Sequence, residues 1–293
     1  MSLLAAAAPL AAESPWLRLA TPRFELYTNT GDKIGRETLA LFEQAHLAVT
    51  AGSGIATRSA PPLRIFLFRS PEDFAPYRST ETALGYYLDG RSRAYIAIRF
   101  SGRSTSRIIF HEYVHAVLKP LGVNLPHWFE EGTAEFYSTT VTDGVRLYAG
   151  VPARDHLRTL GALPLLAAET FLHAGRHASL YSEREQAGVY YSQSWGLIHM
   201  LTMAPGYRER FPNFVALLKR KVPQEKAFEL AFGKGPRSVL EDMSAYVRSG
   251  RLQTLALSAE PARFVRISKA TVLSPADIEP VLQELLEEVN RNR

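Results

Sequence analysis

The sequence predicts an α+β protein: a small N-terminal α/β sheet layer, then a mainly helical half, with a weak boundary near residue 103. Three observations carry this. Short apolar or alternating runs separated by turn signals fill the first hundred residues. Apolar residues at helical spacing dominate from Ser104 onward. A helical pentapeptide, His111-Glu112-Tyr113-Val114-His115, stands where the two patterns meet.

Arg23–Thr28 alternates and is rich in aromatics, which predicts a strand. Glu37–Ala51 places Leu39, Leu41, Phe42, Ala45 and Leu47 at helical spacing, and Gly52-Ser53-Gly54 ends the helix. Pro62–Phe68 reads as a second strand. Ser70-Pro71-Glu72-Asp73 is a helix start, with a Ser cap, an early Pro and first-turn acids. Tyr86–Leu88 and Ala94–Phe100 flank Asp89-Gly90 as a hairpin. Ser104 or Ser106 is positioned to cap a helix over Arg107–Leu118, and Pro120 with Gly122 stops it. Asn124-Leu125-Pro126 leads into a second helix, His127–Tyr137. Further helices are predicted near Pro164–Leu172, Gly188–Met203, Tyr207–Lys221, Glu225–Phe232 and Ser238–Val247. Ala262–Ser268 reads as a strand, and Ser274-Pro275-Ala276-Asp277 opens an acidic helix running to the end. The expected organisation is therefore a terminus over 1–15, an α/β subdomain over 16–103, a helical subdomain over 104–250 and a strand–helix extension over 251–293.

Composition narrows the function classes. The 293 residues are 46% hydrophobic and 22% charged, an ordinary globular balance. The net charge of +5 is small and spread along the chain, with no basic run interleaved with aromatics, so nucleic acid is not an expected partner. There is no cysteine, so any metal must be held by His and carboxylate. Leu3–Ala12 is a short apolar run ending in small residues, like the end of a signal peptide cleaved near Ala12. It predicts export to the periplasm or the outside, although it lacks a charged n-region. No run approaches the roughly 18 apolar residues of a membrane span.

The pentapeptide fits H-E-x-x-H. Residues four apart share a helix face, so the imidazoles of His111 and His115 are spaced to grip one metal ion. Glu112 sits beside that face, where it can reach a water on the ion without being a ligand. A zinc hydrolase needs this arrangement, and a third ligand besides. The alternative H-E-x-x-H-x-x-G-x-x-H pattern fails, because Leu118 and Leu121 occupy the Gly and final His positions. His127 reads as a helix-start residue. His46, His156, His173, His177 and His199 have no partner at ligand spacing and read as core or surface residues.

Trp128-Phe129-Glu130-Glu131-Gly132-Thr133-Ala134-Glu135-Phe136 resembles the W-x-x-E-G-x-A-E-Y block of gluzincin metallopeptidases. The resemblance extends to the peptidase MA-like bacterial members through Tyr191-Ser192-Gln193-Ser194-Trp195 and, weakly, through the upstream strand and Gly85–Arg91. It implies a zincin-like fold with the zinc site between the two halves. It implies Glu131 as third ligand, with Glu130 as rival, and Glu135 as the acceptor that orients a ligand histidine. It implies Tyr191 as oxyanion donor, with Tyr190 as fallback. The expected activity is hydrolysis of peptide bonds in a peptide or protein substrate, with Zn2+ as cofactor and Glu112 as general base. A catalytically silent zinc-binding module that holds peptides is the alternative. In such enzymes an edge strand before the metal-binding helix pairs with the substrate. Here that role is expected of Ala94–Phe100, through Ala94, Ile96 and Ile98. Arg91, Arg93 and Arg99 read as a solvated edge.

Overall fold

Two short strands, β1 (Leu17–Ala20) and β2 (Phe24–Thr28), form an antiparallel hairpin, and α1 (Asp32–Ser53) leads from it to β3 (Leu63–Phe68), parallel to β2. The computed structural model describes residues 14–53, 62–121, 125–175 and 184–292. The predicted leader at Leu3–Ala12, Gly54, Gly122, Asn124 and His177 lie outside the described residues. The one-turn helix α2 (Pro71–Phe74) is capped as expected, with Ser70 Oγ accepting from Asp73 N at 3.1 Å.

β4 (Gly85–Asp89) and β5 (Ala94–Arg99) form the predicted hairpin, and β5 pairs parallel with β3. Thr271–Val272, the last of nine strands among the described residues (β9), closes the far side against β1. The sheet runs β4-β5-β3-β2-β1-β9. Its interior strands are apolar on both faces, as expected where helices cover each side.

The first face packs on α1 and on α3 (Ser104–Leu118), the helix bearing the pentapeptide. Beyond it lie α4 (His127–Ser138), α5 (Arg154–Ala162), α6 (Ala168–His173), α7 (Arg184–Met203), α8 (Phe211–Lys219), α9 (Gln224–Phe232) and α10 (Pro236–Arg248). One apolar core runs from Leu19 and Leu26 through Ile109 and Trp128 to Phe228 and Met243. The expected boundary near 103 therefore marks a change of secondary structure and no break in packing. The second face, with Tyr27, Phe66, Phe68 and Tyr95, is covered by Ile278, Leu285 and Val289 of α12 (Pro275–Asn292). Arg64 ties the two together, bonding Glu25 at 3.0 Å and Glu284 at 2.5 Å, and Tyr95 also meets Glu284.

Several expectations need correction. Ala262–Ser268 is not a strand. Residues 260–263 form the short helix α11 (Glu260–Arg263), and Ser268 touches the sheet through one backbone bond to Ala20 before β9 begins. A separate small sheet holds β6 (Val141–Thr142), β7 (Arg146–Ala149) and β8 (Leu255–Ser258), none of them anticipated. α8 starts at Phe211 because Gly206, at φ +81°, turns the chain before it. Neither Ser104 nor Ser106 caps α3; Thr105 Oγ1 instead accepts from Ser101 N at 2.9 Å.

Candidate metal centre

α3 and α4 pack side by side and place their polar faces at the floor of a cleft of about 820 Å³. The cleft is lined by His111, Glu112, His115, His127, Glu130, Glu131 and Tyr191, and along one wall by β4. α3 holds its position through Ile109, Val114 and Val117, which enter the core and leave the His face toward the cleft. α4 holds its position against α7 through Gly132. A Cβ at residue 132 would lie 2.7 Å from Ile198 Cγ1, so only glycine lets the helices approach this closely.

The three predicted ligands converge. His111 Nε2 lies 3.3 Å from His115 Nε2 and 3.5 Å from Glu131 Oε2, and His115 Nε2 lies 3.7 Å from Glu131 Oε1. A tetrahedral ion with bonds near 2.0–2.1 Å separates its donors by about 3.3 Å. The donor set and spacing therefore fit a metal ion, and among the described residues this is the group of His and carboxylate donors that could hold one. Glu130 lines the cleft but stands outside that group, which favours Glu131 over its neighbour. His127 Nδ1 approaches Glu131 Oε1 at 3.6 Å and its ring stacks on Tyr190.

Electrostatics follow the geometry. Burial pushes the Glu131 carboxyl up, but the bond to His111 and the charges of His115, His111 and His127 outweigh it and hold it near 2. Burial pushes Glu112 up to about 7 against the pull of His111. Glu112 Oε2 accepts from the backbone N–H of Tyr87 at 2.8 Å, so the proposed base is moored to β4. Gly85 makes this approach possible, since a Cβ there would meet Ile108 of α3 at 2.6 Å.

Glu135 lies against His111. Its Oε1 lies 3.2 Å from His111 Nδ1. Its Oε2 lies 3.0 Å from His156 Nε2 and 3.2 Å from Arg107 Nη2. Burial opposes ionisation, but His111 and His156 hold the carboxyl well below its ordinary range.

Tyr191 and Tyr190 separate clearly. Tyr191 lines the cleft, whereas Tyr190 is fully buried against Phe171 and His127. The substrate strand is corrected. β5 is flanked by β4 and β3, so Ala94, Ile96 and Ile98 have no free edge, and Ile96 and Ile98 are fully buried. Among the described residues, the edge strand at the cleft is β4. Arg93 is drawn across the sheet to Glu25 at 3.3 Å.

Sequence reasoning missed His156, Arg107 and the backbone of Tyr87. His156 sits on α5, whose Leu157 and Leu160 at helical spacing were the available signal. Its ring has no ligand spacing to any other histidine, so only the tertiary contact with Glu135 reveals it. No family model matches this chain, and no curated protein matches it either.

Proposed function

We propose that this chain is a zinc-dependent metallopeptidase of the gluzincin type, akin to the peptidase MA-like bacterial group and built on a zincin-like fold. The observation that carries the reading is the meeting of His111, His115 and Glu131 at ligand spacing beside Glu112, on the floor of a cleft walled by an edge strand.

A zinc ion held by those three residues would supply Lewis-acid chemistry, lowering the pKa of a water to about 7 and polarising a carbonyl. The protein's own groups do the rest. β4 offers an extended peptide a backbone edge. Alternation along an antiparallel strand turns the N–H and C=O groups of Gly85 and Asp89 and the C=O of Tyr87 outward, the Tyr87 N–H being donated to Glu112. Glu112 receives the proton of the attacking water and hands it to the leaving nitrogen. Its bond to Tyr87 N–H fixes the carboxylate relative to the strand on which the scissile bond would lie. The Tyr191 O–H donates to the carbonyl oxygen as negative charge develops.

The test is Glu112→Gln. That variant keeps its zinc, measured by plasma emission, and loses cleavage of a broad peptide library. Retained cleavage overturns the proposed base. A wild type that binds zinc but cleaves nothing in the library overturns the peptidase reading.

A further inference from the structure

We propose that His156 is a positioning residue for the metal ligand His111, acting through the Glu135 carboxylate. The proposal rests on the metal-site reading above.

His111 can present Nε2 to an ion only if its proton resides on Nδ1. Nδ1 faces Glu135 Oε1 at 3.2 Å, while Nε2 is the atom facing His115 and Glu131. A carboxylate held by one oxygen can still rotate about its terminal torsion. The second oxygen of Glu135 is held too, by His156 Nε2 at 3.0 Å and Arg107 Nη2 at 3.2 Å. Arg107 is half exposed and shared with Asp155 at 2.6 Å and with His156 Nε2 itself at 3.0 Å, so it is the looser of the two. His156 is buried. Its ring stacks on Trp195 with centroids 5.2 Å apart, and its Nδ1 lies 3.0 Å from Ser192 Oγ. Ser192 adjoins Tyr191 on α7. One imidazole therefore ties the orientation of a metal ligand to the helix carrying the proposed oxyanion donor.

The experiment measures zinc affinity of the full chain by competition with a chromophoric chelator, so turnover is not needed. His156→Asn keeps a polar atom where Nδ1 stands, facing Ser192, and removes the one facing Glu135. It should weaken zinc binding about tenfold, the lower end of what outer partners of ligand histidines contribute. His156→Gln returns a polar atom near the Nε2 position and should restore affinity to within twofold of wild type. In a Glu135→Gln background, His156→Asn should cause no further loss, because its path runs through Glu135. Additive losses, equal effects of Asn and Gln, or an Asn variant within twofold of wild type each overturn the proposal. Melting of the metal-free variants is followed in parallel. A large fall for His156→Asn in chelator means that the loss reflects the fold, and this also overturns it. A wild type that holds no zinc removes the metal site and the proposal together.

Discussion

Gly132→Ala tests the link between helix packing and ligand geometry most directly. The added Cβ would overlap the Ser194 carbonyl oxygen and stand 2.8 Å from its carbon, where ordinary contact begins near 3.4 Å. The neighbour is backbone inside α7, so it cannot swing aside, and the helices must part by up to about 1 Å. Overpacking of this kind costs about 3 kcal/mol at the upper end of its usual range. Replacing a helical glycine by alanine returns about 1 kcal/mol. The packing effect wins, with a net loss of about 2 kcal/mol, which for a chain of this size lowers Tm by about 3 °C. The function should suffer more. Glu131 is the adjacent residue, its oxygens 3.5 and 3.7 Å from the histidine donors, and metal sites tolerate only about 0.2 Å of ligand displacement. Zinc affinity should therefore fall at least tenfold at temperatures where the variant is fully folded. Scanning calorimetry and chelator competition measure the two effects. A variant that melts with wild type and binds zinc equally well refutes the reasoning.

Three further outcomes are expected. Glu131→Ala should lose bound zinc by plasma emission, and unchanged stoichiometry would move the ligand to Glu130. Tyr191→Phe should lower kcat about a hundredfold with little change in KM, the effect of removing one oxyanion donor; an unchanged kcat removes it from the mechanism. His199 is buried, with Nε2 2.8 Å from Gly150 O, and burial depresses its pKa to about 4. The unfolded chain binds this proton near pH 6.5, so stability is full above that pH and falls as pH drops toward 4, by about 3 kcal/mol at this group. Urea melts across that window should be flatter for His199→Gln, and parallel curves would refute the assignment.

The candidate metal centre was legible because its information is local. Two histidines four residues apart need only a helix to share a face, with Glu112 beside it, and the Glu131 block needs only one more. The edge strand was misread because order along the chain does not give order across a sheet. The signal existed: Ala94–Arg99 is a nearly continuous apolar run, as interior strands are, whereas Gly85–Asp89 carries alternating burial. His156 and Arg107 were invisible for a different reason. Their meaning lies in Glu135, 21 and 28 residues away, and no periodicity spans that distance. The strand expected at Ala262–Ser268 fails because its first residues turn into α11, and ladder pairing with β1 begins only at Thr271.

The place of α12 bears on how the molecule is made. The stacked rings of Tyr27, Phe66, Phe68 and Tyr95 belong to the first third of the chain, yet their cover is contributed by residues 275–292. On a ribosome emitting about 5–20 residues per second, that aromatic face waits on the order of ten seconds or more for its cover. During that interval it is bare and can stick to other nascent chains. The synthesis of α12 thus sets the moment at which this aromatic face can be shielded from water.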